Sequence, residues 1–69
     1  MTKENLGSLI LAAERQMYVT AKSILKDDND CADAIQNAIV KAFMKRHSLK
    51  NEAYAKTWLI RIVINECYS

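Results

Sequence analysis

The sequence contains no proline, one glycine and few aromatic residues, namely one Trp, three Tyr and one Phe among 69 residues. An all-β domain needs glycine and proline in its many turns, so their scarcity excludes that class. The chain is 51% hydrophobic and rich in Ala, Ile and Leu, which favours helices. A chain this short forms one small domain with a simple core. The composition therefore predicts an all-α fold.

The sequence also has few residues suited to catalysis or metal binding. Cys31 and Cys67 form no CxxC pair, and His47 is the only further soft ligand, so we expect no metal site and no cofactor. No nucleophile lies beside a base, and there is no glycine-rich phosphate loop. An enzyme is therefore the least favoured class. Without a signal peptide or a membrane span, we expect a cytoplasmic protein with no membrane insertion.

Apolar residues recur at intervals of three and four in three segments, which predicts a compact three-helix bundle. On the first helix the apolar stripe comprises Leu6, Leu9, Ile10, Ala13, Met17, Ala21, Ile24 and Leu25. Residues 27–30 interrupt the pattern, and their acidic side chains are suited to cap the second helix, which extends to about Arg46. Its inward residues are Cys31, Ala34, Ile35, Ala38, Ala42 and Phe43.

The third helix is predicted to start near Ala53. Its core-facing residues are Tyr54, Trp58, Leu59, Ile62 and Val63. Residues 47–52 lack the helical period and predict a loop. A short extra helical turn within residues 47–53 is compatible with this prediction.

Positive charge is concentrated in the second half of the chain. From Lys41 to Arg61 the net charge is +5, whereas residues 26–33 carry −3. A basic segment suits a polyanionic partner, and a solvated surface of mixed charge is the alternative interpretation.

Two surfaces of the predicted helices carry polar groups in a pattern suited to binding. On the third helix, Thr57, Arg61 and Asn65 are spaced by four and share one face, with Lys56 beside them. These residue types hydrogen-bond to phosphates, and Arg and Asn also read base edges. The second helix carries a patch of mixed polarity formed by Asp33, Gln36, Asn37 and Val40. Such a patch suits docking to a partner helix, and ordinary solvent exposure is the alternative for both surfaces.

Four pieces of the sequence resemble region 2 of the extracytoplasmic-function (ECF) sigma factors of bacterial RNA polymerase. In order, they are residues 21–27 (AKSILKD), residues 30–36 (DCADAIQ), Phe43, and residues 57–65 (TWLIRIVIN). The resemblance implies a single sigma region 2 domain over residues 1–69. The family's helix-turn-helix domain, region 4, which reads the minus-thirty-five element, is absent from this chain, so we expect a fragment or an excised domain.

The resemblance implies two partners. The second helix would dock on the clamp helices of the largest RNA polymerase subunit, through Asp33, Gln36, Asn37 and Val40. The loop and third helix would bind the non-template strand of the minus-ten promoter element and help to melt it, with one base flipped into a pocket of the loop. The candidate DNA-binding residues are Ser48, Lys50, Asn51, Tyr54, Lys56, Thr57, Arg61 and Asn65.

The family also implies regulation, because its members are commonly held inactive by anti-sigma proteins. The alternative function is therefore a helical module that binds a regulatory protein without reading DNA. Two positions depart from the family pattern: Ala32 replaces an acid before Asp33, and Ile60 replaces a frequent aromatic. We expect one polymerase contact to be lost or replaced, and strand separation to depend less on stacking.

Overall fold

A computed structural model describes all 69 residues and contains three α-helices and no strand. Helix α1 spans Lys3–Leu25, α2 spans Asp28–Met44 and α3 spans Ala55–Tyr68. Two short 3-10 turns, Arg46–Ser48 and Glu52–Tyr54, connect α2 to α3. Each helix packs against the other two. The predicted all-α three-helix bundle is confirmed, and the helical turn allowed within the loop is present as two turns.

The core combines small side chains with a few large ones. Ala21, Ala38 and Ala42 are fully buried, and such small residues let helices approach closely. Leu6, Met17, Leu59, Val63 and Cys31 are the largest fully buried side chains. All eight residues of the stripe predicted for α1 are buried or half-buried, as are the six inward residues predicted for α2. The apolar periodicity thus identified the packed faces of both helices correctly.

The prediction that Tyr54 faces the core is wrong, since its side chain is 64% exposed. Tyr54 stands four residues before Trp58, a spacing that places two residues on one face of an α-helix. However, Tyr54 belongs to a 3-10 turn, and α3 begins only at Ala55. The tighter winding of the 3-10 turn breaks the phase of the pattern. Trp58 is half-buried against the core.

The corner between α1 and α2 is sharp and is held by a cap. The Asp27 carboxylate accepts hydrogen bonds from the backbone N–H groups of Asn29 (2.8 Å) and Asp30 (3.1 Å), which confirms the predicted capping by the acidic segment. Lys26 has a φ of +69°, and the Asp27 N–H donates to the Leu25 carbonyl across it at 2.8 Å. This γ-turn is a strained conformation for a residue with a Cβ atom.

Side chains reinforce the same corner from outside. The Tyr18 hydroxyl and the Lys22 ammonium group both donate to Asp28 Oδ1, each at 2.7 Å. The hydrogen bond from Lys22, followed by that from Tyr18, holds the pKa of Asp28 below its usual value. The start of α2 is thus tied to α1.

No helix of the bundle combines the length and hydrophobicity that crossing a membrane requires.

Candidate nucleic-acid interface

The connection between α2 and α3 exposes four of the predicted DNA-binding side chains, namely Ser48, Lys50, Asn51 and Tyr54. The Ser48 hydroxyl donates to the Lys45 carbonyl at 2.6 Å, and Asn51 Oδ1 accepts from the Ala53 N–H at 3.0 Å. Both residues therefore shape the connection. The Asn51 amide nitrogen and the Ser48 oxygen lone pairs remain available to a ligand.

Between the two 3-10 turns the backbone is extended and open. Leu49 has φ −79° and ψ 112°, and Asn51 has φ −127° and ψ 109°. The backbone N–H and C=O groups of Leu49 and Lys50 make no hydrogen bond within the protein. This segment consequently presents a short row of unpaired backbone donors and acceptors beside exposed polar side chains.

The cations of the basic segment fall into two groups. The Arg46 guanidinium donates to the Phe43 carbonyl at 2.7 Å and is half-buried, and Lys41 forms an ion pair with Glu66. These two cations support the fold. The unpaired cations are Lys45, Lys50, Lys56 and Arg61, all of them exposed. Sequence reasoning counted Arg46 with the other charges because a net-charge count does not consider its hydrogen bond to the carbonyl three residues before it.

The third helix presents Thr57, Arg61 and Asn65 on one exposed face, as their spacing predicted. Neither these side chains nor Lys56 form any hydrogen bond or ion pair within the protein. A groove between α1 and α3 runs beside them and is lined by Gln16, Lys56, Thr57, Ile60, Arg61 and Ile64. Gln16 was not among the sequence-predicted site residues. Its position directly before the buried Met17, at the edge of the apolar stripe of α1, was the only signal in the sequence.

The predicted patch on α2 is exposed at all four positions: Asp33, Gln36, Asn37 and Val40. Val40 is 55% exposed, and Met44, one turn further on, is 76% exposed. Met44 thus extends the apolar part of the patch, which sequence reasoning missed. The patch forms a ridge between two grooves. Asp33 and Asn37 line the groove towards α3, and Gln36 lines the groove towards α1.

The two candidate surfaces are separate. No residue that lines the α1–α3 groove also lines either groove beside the α2 patch.

Elsewhere the molecule offers few reactive or metal-binding side chains. Cys31 and Cys67 are buried free thiols, and burial raises the pKa of the Cys67 thiol. No group of His, Cys, Asp and Glu side chains is placed to hold a metal ion.

Taken together, the fold and these surfaces define a small helical domain with two exposed faces whose grooves share no lining residue. The chain belongs to the sigma-70 region 2 family, whose model matches residues 9–69. It is a sigma factor domain for transcription initiation and not an enzyme.

Curated relatives agree with this family. They include the ECF RNA polymerase sigma factor SigM of Mycobacterium tuberculosis, from the Erdman and H37Rv strains. Each is 34% identical over 53 residues, which cover 77% of this chain and 27% of the relative. The chain therefore spans about a quarter of the length of these relatives. No solved structure matches the chain.

Proposed function

We propose that this domain docks on the clamp helices of the largest RNA polymerase subunit through α2 and binds the minus-ten promoter element through the α2–α3 connection and α3. The observation that carries the proposal is the separation of the two exposed faces, which share no groove-lining residue. Because the faces are disjoint, the domain can hold the polymerase and the DNA at the same time. A domain that binds both partners acts in the cytoplasm, where the chromosome is transcribed.

The charge and polarity of the second face support binding to a single strand. Lys50, Lys56 and Arg61 have no anionic partner in the protein and are free to contact phosphates. Tyr54 is exposed, so its ring can stack on a base. Thr57 and Asn65 add uncharged hydrogen-bonding groups along α3. The non-template strand exposed by melting offers both the phosphates and the unstacked bases that these groups fit.

The open backbone between the 3-10 turns supports a flipped base at this point. A base removed from the stack needs hydrogen-bonding groups against its pairing edge. Leu49 and Lys50 leave their backbone groups unpaired, and Ser48 and Asn51 stand on either side. Ile60 has an aliphatic side chain, half-buried against the core, so this position offers no aromatic ring for strand separation. Melting would then depend more on capture of the flipped base than on stacking at residue 60.

The composition of the α2 patch supports docking to a protein. Val40 and Met44 form the exposed apolar end of the patch, and Asp33, Gln36 and Asn37 provide polar groups nearer the start of α2, so the patch combines apolar and polar groups as a protein interface does. Ala32 is exposed and carries no carboxylate, so the contact made by an acid at this position is missing. An anti-sigma protein covering either face would keep the domain from initiating transcription.

The proposal predicts that equivalent changes on the two faces weaken binding to different partners. The matched variants are Asn65→Ala on α3 and Asn37→Ala on α2, both at exposed positions without internal hydrogen bonds. Asn65→Ala should weaken binding to minus-ten-like single strands by about 2- to 10-fold, the range of one neutral hydrogen bond. Asn37→Ala should weaken binding to a clamp-helix fragment by a similar factor.

The measurement is fluorescence anisotropy of labelled single-stranded oligonucleotides, minus-ten-like or scrambled, at low and moderate salt. Wild-type binding should depend on sequence and weaken as salt rises, because phosphate contacts release counterions. Binding that ignores sequence and salt would instead favour the module that binds a regulatory protein. Loss of both activities in both variants would contradict the separation of the faces.

A further inference from the structure

The groove between α1 and α3 has an apolar floor and a polar rim. Ile60 and Ile64 are half-buried and form the floor, whereas Thr57, Arg61 and Gln16 are exposed at its edges. Gln16 comes from α1 and therefore lies opposite the polar groups of α3. None of the polar side chains that line the groove has a hydrogen-bond partner within the protein, so their donors and acceptors are free for a ligand.

The groove is also free of acidic groups. Two of its six lining residues are cations, Lys56 and Arg61, and none is an acid. The neighbouring positions on the same flank of α1, Ala12 and Thr20, carry no charge. A phosphate-bearing ligand therefore meets two cations and no acid among the residues that line the groove.

This combination matches the parts of a nucleotide. The flat face of a base can lie on aliphatic side chains, its phosphate can contact the cations, and its edge can hydrogen-bond to a carboxamide. We propose that the α1–α3 groove is a second nucleotide subsite, distinct from the α2–α3 connection, and that Gln16 determines which base it accepts. A carboxamide pairs with adenine through two hydrogen bonds, so we expect adenine to be preferred. This inference rests on the proposed function, because the strand bound along α3 brings the nucleotide to the groove.

The test uses single-stranded oligonucleotides in which each position carries, in turn, each of the four bases or an abasic residue. Binding is measured by anisotropy for the wild type, Gln16→Ala and the matched control Asn5→Ala, which removes another exposed carboxamide from α1. Gln16→Ala should lower the affinity about tenfold for oligonucleotides with adenine at one position. The loss should disappear when that position is abasic, because the two changes then remove the same interaction. Asn5→Ala should bind every oligonucleotide as the wild type does.

A further variant separates hydrogen bonding from shape. Gln16→Glu keeps the size of the side chain but replaces its amide donor with an anionic oxygen, so it should weaken binding to all oligonucleotides and abolish the adenine preference. Thermal melts should be unchanged for both Gln16 variants, since the residue is exposed.

The outcomes distinguish the two proposals. If Gln16→Ala retains the full base preference at every position while Asn65→Ala loses affinity, the subsite is disproved and promoter-strand binding stands. If the wild type itself shows no sequence preference, promoter reading fails and the subsite fails with it.

Discussion

The two grooves that flank α3 carry opposite charge. The α1–α3 groove is lined by Lys56 and Arg61 and contains no acid, whereas the α2–α3 groove is lined by Asp30, Asp33 and Glu66. One helix contributes to both. Arg61 and Glu66 are five residues apart, which rotates the side chain by about 140° around the helix axis. A single short helix thus presents a cationic flank to one side and an acidic flank to the other.

The opposite charge of the two grooves explains how a domain with a net charge of only +2 can still select between partners. A polyanionic strand is attracted to the cationic flank and repelled from the acidic flank, where Asp33 belongs to the α2 patch. Complementary potentials of this kind improve specificity and the rate of encounter more than affinity. The arrangement keeps DNA away from the surface proposed for the polymerase.

The largest expected effect comes from removing the shared support of both flanks. Leu59 is fully buried on the inner side of α3, and Leu59→Ala should cost about 2 to 5 kcal/mol. A domain of this size has about 3 to 5 kcal/mol of stability, so the variant should lose most of its stability, melt at a much lower temperature and bind both partners more weakly. The measurement is a thermal melt followed by circular dichroism.

The control is the same substitution at an exposed leucine. Leu11 is 75% exposed, and Leu11→Ala should change stability by no more than about 0.5 kcal/mol. Equal melting temperatures for the two variants would show that the assigned core face of α3 is wrong.

Charge reversal on one flank should weaken the binding proposed for that flank without weakening the binding proposed for the other. Arg61→Glu should reduce affinity for a minus-ten-like strand by at least about tenfold at low salt, about 1.4 kcal/mol, and this gap should narrow as salt screens the charges. Asp33→Lys should not weaken strand binding, because it replaces an acid that repels the strand with a cation, but it should weaken binding to a clamp-helix fragment. Titrations at two salt concentrations check both. If Asp33→Lys impairs strand binding as strongly as Arg61→Glu does, the assignment of strand binding to the cationic flank alone is wrong.

The smallest expected effect is a gain in stability that leaves both flanks unchanged. Lys26 has a φ of +69°, a conformation that glycine adopts without steric cost, so Lys26→Gly should stabilise the fold by about 0.5 to 1 kcal/mol. In contrast, Lys45 has a φ of −103°, and Lys45→Gly should be neutral or destabilising. Urea denaturation measures the difference. A destabilised Lys26→Gly variant would rule out strain at this corner.

Local patterns were sufficient to predict the bundle. The apolar stripe of α1 and the capping by Asp27 depend on neighbours within a few residues, and both were predicted correctly. Tyr54 was misplaced because a 3-10 turn interrupts the helical phase just before Ala55. That error concerns the core only, since the structure leaves Tyr54 exposed beside the other candidate DNA-binding residues.

Features that depend on tertiary packing could not be predicted. Gln16 lies next to Thr57 and Arg61 only because α1 packs beside α3, and nothing in the sequence around Gln16 encodes that pairing. The exposure of the candidate site residues on α2 and α3 could be predicted from their spacing, but their neighbours across helices could not.

Because the two faces are separate, a single ligand must have a minimum length to block both of them. The domain measures 32 × 21 × 16 Å, so a compact ligand seated in one groove leaves the opposite surface accessible. A complete inhibitor must instead have two binding segments joined by a linker that passes around the domain. About ten extended residues cover the longest dimension, and a linker of that length raises the effective concentration of the second segment once the first is bound.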